Sequence, residues 1–597
     1  MAVLEKIGEP EDIKKLTLAE LNVLAEEIRE RILCVVEKNG GHLSSNLGTV
    51  DLIIALYYVF DFPKDKLLFD VGHQAYAHKI LSGRNGQFDT LRQENGISGF
   101  TNIFESFYDS FCAGHAGDSI SAALGYCYAR DALKQNYFVI DVVGDGSLFN
   151  GENMEALVSD GKKPEKFLII LNDNGMSISK NDNGLYKFIS KVSTKKSYSD
   201  FMGFFSRTIG GSCIGRSLKR FKRFIKLSLN NKSVIDSVGL KYIGIFDGNN
   251  IKELIKIFKN IKESPRATFL HVKTTKGKGL PVAEEHADFY HGIGKHFNQS
   301  LNSFSDYVGN MIVEEAKKDD KICAVCAGMK DGTGLKKFAE VFPKRFTDVG
   351  IAEEHAVTLA AGMAIAGMKP VVCIYSTFLQ RSYDQIMMDV CLQKLPVIFC
   401  VDRAGFVGSD GVTHQGIFDL TYLRTIPNMS VFAPKDGTEL KEIFEYALTL
   451  ASPVAIRYPN GEQTKFETHI PIDKDNLWET ASEGGEPYVL ACGCRMVKIA
   501  LEAKEKSGND FTIVNARSVK PLDANLLMKI KEKRLITMEE NVVEGGFGSS
   551  VLEFYNMKDI VPNLKIMGIK GQFVAHAAVE AQFASCNLTA DDLIKII

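Results

Sequence analysis

The chain has 597 residues, 45% of them apolar and 24% charged, with a formal net charge of −3. That length exceeds one hydrophobic core and implies roughly two to four domains. The near-neutral balance argues against a general nucleic-acid or anionic-membrane binder, which is normally basic. The opening stretch "MAVLEKIGEPEDIKKL" has no apolar h-region, and runs such as "LIIALYYVF" (52–60) are too short to span a bilayer. The expectation is a cytoplasmic protein with no nucleic-acid and no membrane partner.

In chain order, strand-like runs alternate with helix-like ones: "YFVIDVVGDG", "KFLIILNDN", "TFLHVKTT", "KPVVCIYST", "LPVIFCVDR", "PVAIRYP", "FTIVNARSV" and "RLITMEE". Most are short, β-branched and continuously apolar, as in parallel strands covered on both faces. The predicted class is α/β, with mostly parallel sheets flanked by helices. Polar stretches near residue 298 and over 460–486 divide the chain into domains 1–298, 299–478 and 479–597. Twelve cysteines include Cys323 and Cys326 in "KICAVCAGM" and Cys492 and Cys494 in "LACGCRM". Both pairs read as small-residue runs in buried strands, since a structural zinc site wants a second close pair with turn residues. The segment "GRSLKRFKRFIKLSLNNK" (215–232) is basic with interleaved apolar residues; a solvated helix with one packed stripe is preferred to a phosphate- or membrane-touching one.

"VVGDGSLFNG" (142–151) places Asp145 between Gly144 and Gly146 at the end of an apolar run. Open parallel sheets bind ligands beyond the carboxyl ends of their strands. Glycines there admit a phosphate to bare backbone, but an acid beside a phosphate requires a cation between them. Mg²⁺ suits that position, taking one or two protein oxygens plus phosphate oxygens. Asn174, after the next strand in "FLIILNDNGMSIS", can supply a further oxygen. The spacing is neither G-x-G-x-x-G nor a P-loop.

A GDG followed by "NDN", each ending a strand, resembles the thiamine diphosphate-binding motif. That resemblance implies a metal site of Asp145, Asn174 and the carbonyl of Met176. Other stretches narrow it: "GGHLSSNLGTVDL", "DVGHQAYAHKILSGR", "IAEEHAVTLAAGMA", "YSTFLQRSYDQ", "DRAGFVGSDGVTHQGIFDL" and "IRYPNG". Over nearly its whole length the chain resembles the 1-deoxy-D-xylulose-5-phosphate synthases, a branch of the transketolase-like enzymes. The resemblance implies thiamine diphosphate and Mg²⁺ as cofactors, spanning two domains. It also implies a decarboxylative condensation of pyruvate with D-glyceraldehyde 3-phosphate, the product feeding isoprenoid, thiamine and pyridoxal phosphate synthesis, and a homodimer.

Site roles come by the same carry-over. Glu353, first acid of "AEEHA", is the glutamate that bonds the cofactor's pyrimidine; the alternative is a helix-dipole acid, as Glu354 is read. His42, His73, His414 and His291 are expected to move protons, His73 also touching the cofactor and His42 and His414 the substrate. Gly114, His115, Ala116, Gly146, Ser147 and Phe378 are expected at the cofactor, Phe378 having an equally good reading as core. Tyr375, Arg381, Arg403, Asp410 and Arg457 are expected in the acceptor pocket, where guanidinium groups suit a phosphate dianion. For Arg457 a surface ion pair is the competing reading.

Two departures stand out. "GHAGDSIS" (114–121) lacks hydroxyls at Ala116 and Gly117 and carries Asp118, which is expected to cap the following helix. "GIKGQFVAH", near the C-terminus, also departs from the family pattern, in a domain expected to carry no catalytic residue. Competing functions are a transketolase moving two-carbon units and a cofactor-binding pseudoenzyme.

Overall fold

The computed structural model describes residues 2–159, 163–175, 235, 238–287, 289–293, 303–466 and 469–597. Met176, the basic segment 215–232 and the expected boundary at 298 lie outside the described residues. The chain forms two compact units, Met1–Leu91 with Ile97–Phe297, and Arg92–Gly96 with Asn298–Ile597.

Among the described residues, the first unit is built on strands β1 (Lys66–Phe69), β2 (Val139–Gly144), β3 (Phe167–Asp173), β4 (Lys241–Asp247) and β5 (Thr268–Lys273). They lie in the order β1-β2-β3-β5-β4, every neighbouring pair parallel. β3 is buried at every residue, which is why its sequence is apolar throughout. Helices cover both faces. Leu18–Asn39 starts on a capping box between Thr17 and Glu20 and turns Leu21, Leu24, Ile28 and Ile32 inward. Ser44–Val59 is buried along almost its whole length, and Ser119–Ala132 packs Ile120, Ala123 and Leu124 on the opposite face. β1 and β4 escape the sequence reading for physical reasons. β1 has only four residues, and β4 is a half-exposed edge strand without a continuous apolar run.

The second unit holds two sheets. One contains β6 (Ile322–Cys326), β7 (Phe346–Asp348), β8 (Lys369–Tyr375), β9 (Ile398–Asp402), β10 (Ser430–Phe432) and β11 (Val454–Arg457). The other contains β12 (Glu479–Ser482), β13 (Tyr488–Cys492), β14 (Thr512–Asn515), β16 (Arg534–Val542) and β17 (Asn563–Ile569), with order β12-β14-β13-β16-β17. β15 (Ser518–Lys520) leaves that second group and pairs antiparallel with β10 at the edge of the first. All other pairs are parallel except β12 with β14.

The run "FTIVNARSV" is therefore not one strand. It breaks between β14 and β15 around Arg517, whose fully buried guanidinium binds Glu439 at 3.0 Å and the carbonyl of Ile470 at 2.6 Å. Cys323 and Cys326 lie in β6 and Cys492 ends β13, but Cys494 begins helix Cys494–Ser507 rather than continuing the strand. Burial pushes the thiols of Cys323 and Cys494 up to about 11 and that of Cys492 to about 12. No helix among the described residues is long and apolar enough to cross a membrane.

Candidate active site

The first unit gathers its chemistry where β2 and β3 end. Gly144 pairs with Asn172 across these parallel strands, so Asp145 and Asp173 emerge side by side. Asp145 is 2% exposed, and its carboxyl is pushed up to about 7, by burial first and by the negative charge of Asp173 next, against the opposing Lys276. Asp173 is tied to the His271 ring at 2.8 Å and accepts the Gly175 N–H at 2.9 Å. Asn174 follows directly. A cation bound through oxygen would relieve the crowding of these buried acids, so the residues present fit Mg²⁺.

Three of the predicted histidines meet in this unit. The ring centroids of His42, His73 and His291 are 5.3, 5.4 and 5.6 Å apart in the pairs His42–His73, His73–His291 and His42–His291. Asn46, in the first turn of Ser44–Val59, holds two of them in place. Its amide donates to the carbonyls of His42 and His73, both at 2.7 Å, and its oxygen accepts the Tyr76 N–H at 2.8 Å. Ser45 Oγ lies 3.3 Å from His291 Nδ1. Burial, then Lys276, His73 and His42, push the His291 ring well below its usual range, so it is a neutral imidazole. From this cluster a chain of polar groups runs back to β3: Asn172 donates to Gln74 Oε1 at 2.9 Å and accepts from Thr274 Oγ1 at 2.6 Å.

The loop carrying Gly114, His115 and Ala116 corrects one expectation. Asp118 does occupy the N-cap position of Ser119–Ala132, but its side chain makes no capping hydrogen bond. Asp70, just beyond β1, takes that work over. Its carboxylate accepts from the N–H of Gly117 at 3.1 Å and of Ser119 at 3.5 Å. A buried acid arriving from the neighbouring strand outcompetes the local one. Gly117 is also explained: its φ is +99°, and a Cβ there would sit 2.2 Å from Asn150 Oδ1. Close by, Ser147 is buried and donates from Oγ to the Gly144 carbonyl at 3.2 Å, with Gly146 next to it in the turn.

In the second unit Glu353 opens helix Glu353–Ile365 and is 2% exposed. Burial pushes its carboxyl up to about 7 against the pull of Arg381, whose Nη1 is 3.7 Å from Oε2. That Oε2 has no hydrogen-bond partner among the described residues. Glu353 lies in the first turn of its helix, where an acid complements the dipole, but burial is a cost that such a role does not call for. A buried acid with one unbonded oxygen fits a ring nitrogen, as a pyrimidine offers.

The same unit carries the acceptor-pocket candidates, of which Arg381 is the one beside Glu353. Tyr375 ends β8 and Arg403 follows β9, with the guanidinium carbon 3.9 Å over the tyrosine ring. Phe378 stacks on Tyr375 with centroids 5.9 Å apart and meets the His414 ring edge-on at 5.4 Å. Its ring thus meets two other candidate site residues while also packing against the hydrophobic core of this unit, as the core reading expects. The Tyr375 hydroxyl has its place because residue 332 is glycine; a Cβ there would lie 1.7 Å from it. Burial raises the Asp410 carboxyl, but Arg92, His414 and Arg403 outweigh it and hold it below the usual range. Arg92 Nη2 is 2.6 Å from Asp410 and 2.9 Å from Ser409 Oγ. Arg457 is no surface ion pair. It is 5% exposed, its Nε donates to Asp419 at 3.1 Å and its Nη2 to the Glu540 carbonyl at 3.2 Å.

Sequence reasoning missed Asn46, Asp70, Arg92 and Asp419. Polar residues opening the mostly apolar "NLGTVDLIIALYYV" were a signal for Asn46. Arg92 had none, since its partner lies 318 positions away.

A buried strand-end acid followed by asparagine in one parallel sheet, with a buried glutamate opening a helix of another, defines the transketolase-like class of thiamine diphosphate enzymes. Family models agree in three pieces: 1-deoxy-D-xylulose-5-phosphate synthase over residues 4–274, the transketolase pyrimidine binding domain over 302–464 and the transketolase C-terminal domain over 478–593. The chain is 44% identical to the 1-deoxy-D-xylulose-5-phosphate synthase of Clostridium tetani, over 99% of this chain and 98% of that one. It is 46% identical to that of Carboxydothermus hydrogenoformans, over the same shares. The chain belongs to the 1-deoxy-D-xylulose-5-phosphate synthase family, and is a transketolase-type transferase dependent on thiamine diphosphate and Mg²⁺.

Proposed function

We propose that this chain condenses pyruvate with D-glyceraldehyde 3-phosphate, releasing CO2 and 1-deoxy-D-xylulose 5-phosphate for isoprenoid precursor synthesis. The observation that carries the reading is Glu353, a buried acid poised near neutrality with an oxygen left for a ligand.

Asp145, Asn174 and the Met176 carbonyl would hold Mg²⁺. Gly114, His115, Ala116, Gly146, Ser147 and His73 would hold the diphosphate, and Phe378 would pack on the ring system. Thiamine diphosphate, when bound, supplies the nucleophilic carbon and accepts the electrons left as CO2 departs. Glu353 keeps a proton at the pyrimidine nitrogen it bonds. His42, His73, His291 and His414 take and return protons at the substrate oxygens, the neutral His291 acting as acceptor. Arg381, Arg403 and Arg457 receive the phosphate dianion of the aldehyde, with Asp419 fixing the Arg457 fork. Tyr375 and Asp410 orient the aldehyde's hydroxyls, Arg92 holding Asp410 ionised.

The same reading assigns 1–298 to diphosphate and metal binding, 299–478 to pyrimidine binding and 479–597 to a C-terminal domain. It also includes a homodimer in the cytoplasm. Incubation with pyruvate and D-glyceraldehyde 3-phosphate tests the function. CO2 release that needs the aldehyde, thiamine diphosphate and Mg²⁺ together is expected. Ketose-to-aldose transfer without CO2 would replace the reading with a transketolase. Glu353→Ala should abolish turnover while cofactor binding, followed by calorimetry, largely survives. Sedimentation at assay concentration checks the dimer.

A further inference from the structure

β2 carries an acid that nothing in the catalytic reading uses. Asp141 points from the middle of a strand whose register partners are Leu68 and Ile169, and both Asp141 and nearby Asp70 are fully buried. Between the two acids stands one hydroxyl: Ser119 Oγ is 2.8 Å from Asp70 Oδ2 and 3.0 Å from Asp141 Oδ2. Oδ1 of Asp141 has no hydrogen-bond partner among the described residues.

The proton count settles which group donates. Asp70 accepts at each of its hydrogen bonds: the N–H of Gly117 at 3.1 Å, the N–H and Oγ of Ser119 at 3.5 and 2.8 Å, and the Asn153 amide at 3.0 Å. A carboxylate serving four donors is the ionised, acceptor-only form. The serine has one proton, and the shorter contact directs it to Asp70. Its oxygen can then meet Asp141 favourably only by accepting, which requires a proton on Asp141 Oδ2.

We infer that Asp141 is a positioning residue held as a neutral carboxylic acid, donating to Ser119, which donates to ionised Asp70, so that two hydrogen bonds in series fix residues 117–119. Burial and then the charge of Asp70 raise the Asp141 carboxyl well above its usual range; Ser119 opposes and Asp118 adds, and no cation is among these influences. A bare second carboxylate here would face two acids in an apolar layer. The consequence for cofactor affinity rests on the reading that residues 114–116 hold the diphosphate; the proton assignment does not.

The test uses the full chain. At about pH 8, well above ordinary carboxyl values, infrared spectra of the parent should show the carbonyl stretch of a protonated carboxylic acid. The band should shift on ¹³C-carboxyl labelling of aspartate and vanish in Asp141→Asn. No aspartate-sensitive band, or one that survives Asp141→Asn, overturns the assignment. Stability gives a second measure. A carboxyl raised in the fold contributes stability that is complete below its unfolded value of about 4 and is lost as pH rises through the folded one. Asp141→Asn keeps a donor toward Ser119 and should remove that share of the alkaline decline in urea midpoints; an unchanged decline overturns the inference. By calorimetry, Ser119→Ala, which removes both hydrogen bonds of that hydroxyl, should weaken thiamine diphosphate binding by about tenfold or more, with Asp141→Asn close to the parent. A present band with unchanged Ser119→Ala affinity would keep the proton and refute the diphosphate role of residues 114–116.

Discussion

Gly117 shows how one missing methyl group decides a loop. With φ at +99° and Asn150 Oδ1 lying 2.2 Å from where a Cβ would stand, Gly117→Ala meets both a backbone and a contact penalty. The expected loss is about 1–3 kcal/mol in urea unfolding. Because the Asn150 Cβ would also lie 2.8 Å from the new methyl, adding Asn150→Gly rather than Asn150→Ala should recover the contact part alone, and strict additivity of the two changes would refute the clash. Glu353 makes a second single-residue prediction. Its folded pKa is raised to about 7. Its share of stability is therefore complete below the unfolded value near 4.3 and is lost as pH rises through 7. A shift of that size corresponds to about 4 kcal/mol. In the protein without cofactor, Glu353→Gln should flatten the fall in unfolding free energy across that window.

Among elements, the break between β14 and β15 matters most. Arg517 and Lys435 are both fully buried, facing the equally buried Glu439 and Glu479. Lys435 Nζ is 2.5 Å from Glu479, and Asn515 donates to Glu439 at 2.7 Å. Removing one ion from such a cluster strands its partners without water. Arg517→Ala should cost about 3–5 kcal/mol, read as a lowered chemical denaturation midpoint. The polar stretch 460–486 looked like a linker because its composition is loop-like. Yet Arg517 gathers the carbonyls of Ile470, Leu477 and Asn476 from within it. Composition reported polarity; it could not report that a distant guanidinium satisfies those carbonyls. The long strands were easier to read, because β3, β8 and β9 are covered on both faces and must be apolar at nearly every position.

For the molecule as a whole, the prediction concerns metal and pH together. Asp145, raised to about 7 by burial and Asp173, must lose its proton before it can serve a cation. Mg²⁺ affinity in the presence of thiamine diphosphate should therefore fall as pH drops below about 7, with a proton released on binding. Calorimetry in two buffers of different ionisation enthalpy reads that proton directly, and Asp145→Asn should abolish both the pH dependence and most of the affinity. Equal proton release in Asp145→Asn would assign it to another group.

The parallel α/β class could be read from local strings, and the candidates Asp145, Asn174, Glu353 and the histidines were nominated by them, because strand-end acids, glycine turns and doubly covered strands leave marks within a few residues of sequence. Asp70 in place of Asp118, Arg92 on Asp410, Asp419 on Arg457 and the protonated Asp141 left no such mark. Each depends on which side chain arrives from a remote strand or loop, and in a buried site the winner is set by distance, desolvation and the number of donors to be satisfied.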